Sequence, residues 1–136
     1  MADSLNFSTK EVFTFVDALT PLSEVSGMVA IGLEKNGALV AGVVYEGINP
    51  FNAWMHVAAT PGARWLTRHY LRACFVYPFI TCGVERVRGY VNASNTAARK
   101  FDEHLGFEQE AVLRGAASDG SDVIIYVMPK ARCRYV

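Results

Sequence analysis

The sequence has no surplus of either charge: thirteen Lys and Arg balance thirteen Asp and Glu. Without a basic excess it lacks the electrostatic footprint of a general nucleic-acid binder. It has only three cysteines, Cys74, Cys82 and Cys133, with no paired spacing. Neither a disulfide framework nor a thiolate metal site is expected, and the thiols read as reduced ones in a cytoplasmic protein. His69 and His104 have no partners at ligand spacing, so no metal is expected through them either. Long apolar runs are absent as well. The longest, residues 73–84, falls well short of the roughly 20 residues of a membrane span, so no membrane partner is expected. Residues 1–8 are polar and carry no start-of-chain signal. No dinucleotide-type glycine fingerprint, nucleophile elbow, repeat or low-complexity tract appears.

What is present is an ordinary globular composition with an apolar lean, 51% apolar and 19% charged residues. A chain of 136 residues reads as a single domain spanning 1–136. At that length about two thirds of the unfolded surface can be buried, and no staples are needed.

Ser8 and Glu11 form a capping-box pattern, and Val12, Phe13, Val16 and Leu19 share one helical face. The spacing predicts a helix over 9–19, stopped by Pro21, after a short strand at 5–7. Residues 27–34 and 38–46 are β-rich runs around Asn36-Gly37, the strongest short hairpin signal. A third strand at 53–59 completes an antiparallel meander. Thr60, Pro61 and Gly62 then lead into a helix predicted over 63–77, ended by Pro78. On it Trp65, Leu66, Leu71 and Phe75 face the sheet, while Arg64, Arg68 and Arg72 recur every four residues. Like charges at that spacing repel mildly, so the stripe is either well solvated or faces an anion. Strands are predicted at 86–91, 108–114 and 123–128.

Residues 92–107 form the segment with both ends marked. Asn92 or Ser94 can cap its start. Ala97, Ala98, Phe101 and Leu105 make an apolar face, and Gly106 marks a left-handed stop before Phe107 opens a strand. The order Asn95, Ala98, then Leu105-Gly106-Phe107 resembles the second cofactor motif of the GNAT acetyltransferase superfamily. The flanks at 83–87 and 110–114 look like its Rim-type branch, which includes N-terminal acetyltransferases of ribosomal proteins. The likeness runs best over 83–128, extends through 27–82, and is poor before that. Where the family pattern has a first strand and two helices, this chain has room for one helix.

The resemblance implies an α/β fold: a mixed, mostly antiparallel sheet of six or seven strands with helices on both faces. It also implies acetyl-CoA as co-substrate and an amine acceptor, either a protein N-terminus, a lysine or a small amine. Dimerisation, common in the family, would use the final strands or the tail at 132–135. The family places the pyrophosphate at the start of the helix after the 53–59 strand, where free N–H groups favour an anion. Gly62, Ala63, Arg64 and Arg68 are the candidates there. Trp65 and Thr67 stand where the family's loop has small residues, a departure that removes a close backbone approach. Arg64 and Arg68 either compensate by charge-assisted contacts or form a solvated face. Asn95 corresponds to the residue that contacts the pantetheine arm, and it is equally a helix-cap asparagine. Val57 and Ala59 would offer backbone groups to the same arm.

Three residues are candidates for proton transfer. Asp102 stands where the family often has a tyrosine acid, and it lies seven residues after Asn95 on nearly the same helical face. An ionised Asp is no acid at neutral pH unless desolvation beside other carboxylates raises its pKa. Glu46 and His56 are candidate bases; a histidine in an apolar strand is also a common core residue. Tyr90 and Tyr126 are further candidates. The alternative to an enzyme is a non-catalytic interaction module of the same fold, favoured by the altered loop, the missing tyrosine and the short front end.

Overall fold

The computed structural model describes residues 3–136. Strand β1 (Ser4–Asn6) precedes helix α1 (Thr9–Leu19) and strands β2 (Val29–Lys35), β3 (Ala38–Glu46) and β4 (Asn52–Ala59). Helix α2 (Arg68–Val76), strand β5 (Arg86–Asn92), helix α3 (Thr96–Leu105) and strands β6 (Glu108–Leu113) and β7 (Val123–Pro129) follow. The strands make one seven-stranded sheet in the order β1-β2-β3-β4-β5-β7-β6. Every pairing is antiparallel except β4 with β5.

Helices cover both faces, as the alternation of each strand requires. Val12 and Val16 of α1 pack on Ala30, Val44 and Ala58. The intervening residues Ile31, Val43, Tyr45 and Met55 point the other way, into a larger core with Phe75 of α2 and Leu105 of α3. Two buried tyrosines fasten α2 to the sheet. The Tyr70 hydroxyl donates to the Ile31 carbonyl at 2.8 Å, and the Tyr45 hydroxyl donates to the Cys74 carbonyl at 2.5 Å.

Local signals hold where a single residue sets them. Ser8 Oγ accepts the Glu11 N–H at 3.3 Å and starts α1. Asn36 and Gly37 both take positive φ, 54° and 81°, the pair of left-handed residues that a two-residue hairpin turn needs. α1 reaches the sheet closely because Gly42 carries no side chain beneath it. A Cβ there would lie 2.7 Å from Val16 Cγ2 and 2.8 Å from Val12 Cγ1. Gly42→Ala is therefore expected to cost about 1–3 kcal/mol by overpacking, read as a lowered urea midpoint with an unchanged slope.

The segment after β4 departs from expectation. The helix predicted over 63–77 begins only at Arg68. Residues 60–63 instead form a β-turn, with the Ala63 N–H donating to the Thr60 carbonyl at 3.1 Å and Gly62 at φ 81°. A Pro-Gly pair at the centre of a turn competes with a helix start, and a left-handed glycine cannot continue a helix. Thr67 becomes the cap, its Oγ1 accepting the Tyr70 N–H at 3.2 Å. Arg64 thus leaves the helix, so only Arg68 and Arg72 remain of the predicted stripe, and Leu66 is exposed rather than facing the sheet. Nor does Pro78 end the helical path. It sits at the start of a π-helical turn, Tyr77–Thr81, where its missing N–H is not needed. At α3 the cap is Asn95, not Asn92 or Ser94.

The tail packs on its own chain. The Tyr135 ring stacks on Phe75 at 5.1 Å, and Arg134 Nη2 donates to the His104 carbonyl at 2.6 Å. Of the two surfaces considered for a dimer, β6 is the open one, with all six residues exposed.

Candidate active site

β4 and β5 pair only over Asn52–Trp54 and Arg86–Arg88 and then part. The closed end is tied by Arg88, whose Nη1 donates to Asn52 Oδ1 at 2.8 Å. Its Nε and Nη2 grip both oxygens of Glu110 at 2.6 and 2.9 Å. Beyond it opens a cleft of about 610 Å³, which runs from the end of α1 through the split to α2 and α3.

The register decides which backbone groups face the split. Thr60 N–H bonds the Val40 carbonyl at 2.8 Å, and residues on an antiparallel strand alternate in direction. His56 and Ala58 therefore direct their backbone groups to β3. Val57 and Ala59 direct theirs toward the cleft, where β5 has already left.

The loop of residues 63–67 lines a second, more open depression of about 460 Å³ at the head of α2. Thr67 satisfies one N–H of the first turn, leaving those of Arg68 and His69 without intrahelical partners. Arg64 and Arg68 are exposed, and neither is in an ion pair among the described residues. Trp65 pins this loop to α3 by its ring contact with Phe101, 5.1 Å between centroids. Free N–H groups, two unpaired cations and the unpaired edge of Val57 and Ala59 fit a phosphate-bearing group with a thin amide arm. Gly62, at φ 81°, forms the turn that leads into this loop.

Two candidate bases meet. His56 Nε2 lies 2.7 Å from Glu46 Oε2. Val44 is the residue opposite His56 in the β3–β4 ladder, and Glu46 stands two residues further along β3 on the same face. A carboxylate at Nε2 holds the proton there and leaves Nδ1 as the basic nitrogen. Tyr90 stands edge-on to His56 at 5.3 Å, and Trp54 edge-on to Tyr90 at 6.2 Å. Burial and the nearby Glu46 charge raise the Tyr90 hydroxyl pKa. Tyr126, by contrast, is fully buried with its hydroxyl donating to Glu103 at 2.8 Å, away from the base pair.

Asn95 and Asp102 line the cleft from α3. Asn95 Oδ1 accepts the Ala98 N–H at 3.1 Å, which leaves the side-chain amide donors for another partner. Burial, then the negative charge of Glu103, pushes the Asp102 carboxyl up to about 7. His56 belongs to the α1 face and Asp102 to the α2–α3 face, so the split separates a basic from an acidic group. Cys74 also lines the cleft, but burial raises its thiol to about 12, so it is no nucleophile at neutral pH.

Sequence reasoning did not find the network that holds the start of α3. Ser94 Oγ donates to Asp119 Oδ2 at 2.6 Å, and Ser121 Oγ donates to Asp119 Oδ1 at 2.6 Å. These hydroxyls hold the Asp119 carboxyl down at about 2. No spacing rule links Ser94 to Asp119; the β5–β7 register brings them together. Tyr90 is placed by the parallel pairing of Trp54 with Arg88, which sets it two residues further along on one face with His56; no signal in β5 alone gives that pairing.

Among the described residues no group of His, Cys, Asp and Glu could hold a metal ion, and no helix is long and apolar enough to cross a membrane. No family model matches the chain, and no curated protein does. Solved structures do. Mutant forms of the spermidine/spermine N-acetyltransferase SpeG from Vibrio cholerae match with a TM-score of 0.78 at 15% identity, covering 96% of each chain. Another mutant of that protein gives a TM-score of 0.80 at 15% identity, covering 98% of this chain and 96% of that one. A probable acetyltransferase gives 0.66 at 18% identity, covering 78% of this chain and 63% of that one. At such identities the likeness speaks for the fold. With its split sheet, helix-headed loop and order of elements, this chain has the fold of the GNAT acetyltransferases.

Proposed function

We propose that the protein is an acetyl-CoA-dependent N-acetyltransferase, and that it works in a reducing, cytoplasmic compartment. The observation that carries this is the β4–β5 split, with Val57 and Ala59 presenting unpaired backbone groups beside the head of α2. The three free thiols favour the compartment. The Rim-like flanks of the motif segment favour a protein amine as acceptor, and the solved neighbours, spermidine N-acetyltransferases by name, favour the small amine within the same range.

In this reading the acetyl thioester supplies the acyl group. Arg64, Arg68 and the free N–H groups of α2 bind its phosphates, Gly62 and Ala63 shape the approach, and Val57, Ala59 and Asn95 align the arm. His56 Nδ1 takes the proton from the acceptor ammonium, and Glu46 stabilises the imidazolium that results. The nitrogen lone pair forms the C–N bond as the C–S bond breaks, and the Asp102 proton goes to the departing sulfur. The second proton that the amide nitrogen sheds returns through solvent to the Asp102 carboxylate, and His56 releases its own to solvent. No covalent enzyme intermediate is required.

A thermal melt with acetyl-CoA, against ATP as control, tests the reading. A ligand at one hundred times its Kd adds about 2.7 kcal/mol, which raises the midpoint of a domain this size by several degrees. Arg64→Ala with Arg68→Ala is expected to weaken acetyl-CoA at least about tenfold, since each charge-assisted bond contributes about 1.5–3 kcal/mol. Unaltered affinity would return both arginines to a solvated surface. One observation favours the non-catalytic module: Trp65 occupies the loop where the family has a small residue and packs inward on Phe101. No rise in midpoint at millimolar acetyl-CoA would decide for it.

A further inference from the structure

We propose that the acceptor is a primary amine on an apolar body with no second cationic centre. This rests on the acetyl-transfer reading and names the substrate class for the same cleft. α2 and α3 cover one face of the split, so the acceptor arrives from the face of α1. There the walls are Val16, Leu19, Pro21 and Leu22, at the end of α1 and just beyond, opposite Ala58 and Tyr90. His56 supplies the base at the inner end.

What these walls lack decides the class. Among the described residues the cleft lining contains no Glu, Lys or Arg, and its one carboxylate, Asp102, belongs to the α3 side. Glu46 stands behind His56 and is bonded to it at 2.7 Å. Asp17 is exposed, lies outside the lining, and turns one oxygen to the Leu22 N–H at 2.8 Å. A second ammonium on the acceptor would leave water for Val and Leu side chains without a counter-ion, which is unfavourable. An apolar body would instead cover Leu19 and Tyr90, which are 43% and 52% exposed. A single amine entering this cleft meets one base and a mostly apolar wall whose polar members, Thr20 and Asn92, carry no charge; a polyamine meets no carboxylate on the α1 side of the lining.

The test is calorimetric titration of the intact protein with 2-phenylethylamine and with spermidine, with and without CoA, followed by the same pair as acceptors. A leucine-initiated peptide amide, run alongside, separates a protein N-terminus from a free amine as the source. The expected result is at least about tenfold tighter binding and higher kcat/KM for the apolar amine, the scale on which apolar pockets discriminate. Leu19→Asp, which puts a carboxylate on the mouth, is expected to shrink that ratio. Spermidine binding as well or better, no binding of either apolar amine, or a ratio unmoved by Leu19→Asp overturns the proposal. An apolar-amine preference that persists in a protein unable to bind acetyl-CoA would sink the enzymatic reading while leaving the amine site standing.

Discussion

Replacing His56 with alanine is expected to lower acetyl transfer by about 10²- to 10⁴-fold at neutral pH, the range that a positioned general base supplies. The fold should survive, because the ring borders the cleft and its hydrogen bond goes to Glu46 rather than into the core. Glu46→Gln is expected to lose less. The amide still faces Nε2, but it no longer favours the imidazolium or fixes the tautomer that leaves Nδ1 basic. The two substitutions act through one proton, so the double variant should be little worse than His56→Ala alone. Stopped-time assays of free CoA thiol, with a melting curve for each variant, read this directly. Full activity in His56→Ala would remove the base from β4 altogether and leave Glu46 and Tyr90 as the titratable groups beside that wall.

The second large effect is at Asp102 and appears in stability as well as in rate. Its folded pKa of about 7 lies above the ordinary 3.8, because burial and then the Glu103 charge disfavour the anion. Glu103 is held in place by the Tyr126 hydroxyl at 2.8 Å, which keeps that charge close. Between those two values the folded state holds a proton that the unfolded state has lost. Stability is therefore fully present below about pH 4, falls as pH rises toward 7, and levels off above. Each tenfold in proton affinity is about 1.4 kcal/mol, so the loss is on the order of a few kcal/mol. Asp102→Asn should remove this slope and raise the melting midpoint at pH 8. The same substitution should lower kcat and abolish the alkaline limb near pH 7, since only the protonated carboxyl can donate to the leaving sulfur. A variant that keeps the alkaline limb would show that another group titrates. A wild-type protein whose midpoint does not fall between pH 4 and 7 would show that Asp102 ionises normally.

How far these residues could be read in advance follows from the range of the forces that place them. The α1 helix over Thr9–Leu19, the Asn36-Gly37 turn, the strand Ala38–Glu46 and the stop at Gly106 were all legible. Each is set by a cap, a left-handed residue or a periodicity spanning a few neighbours. The start of α2 was misread because Thr60, Pro61 and Gly62 carry two local signals at once. The turn prevails where the Thr60 N–H is tied to Val40, twenty residues earlier.

By itself the sequence determined the order of elements, the two-faced sheet and the segment at 92–107 whose residue order resembles a cofactor motif. It also identified Glu46, His56, Asn95 and Asp102 as residues to watch. Only the tertiary structure decided that Glu46 and His56 touch, that Tyr90 joins them while Tyr126 does not, and that Asp102 lies where its proton is held to about 7. Alternation along a strand tells which residues share a face, but not which face of the sheet that is or what stands opposite. Those follow from pairing register and helix docking, which are set by contacts between residues far apart in the chain. The short β4–β5 pairing that opens the cleft is likewise a property of two strands together, and neither strand alone encodes it.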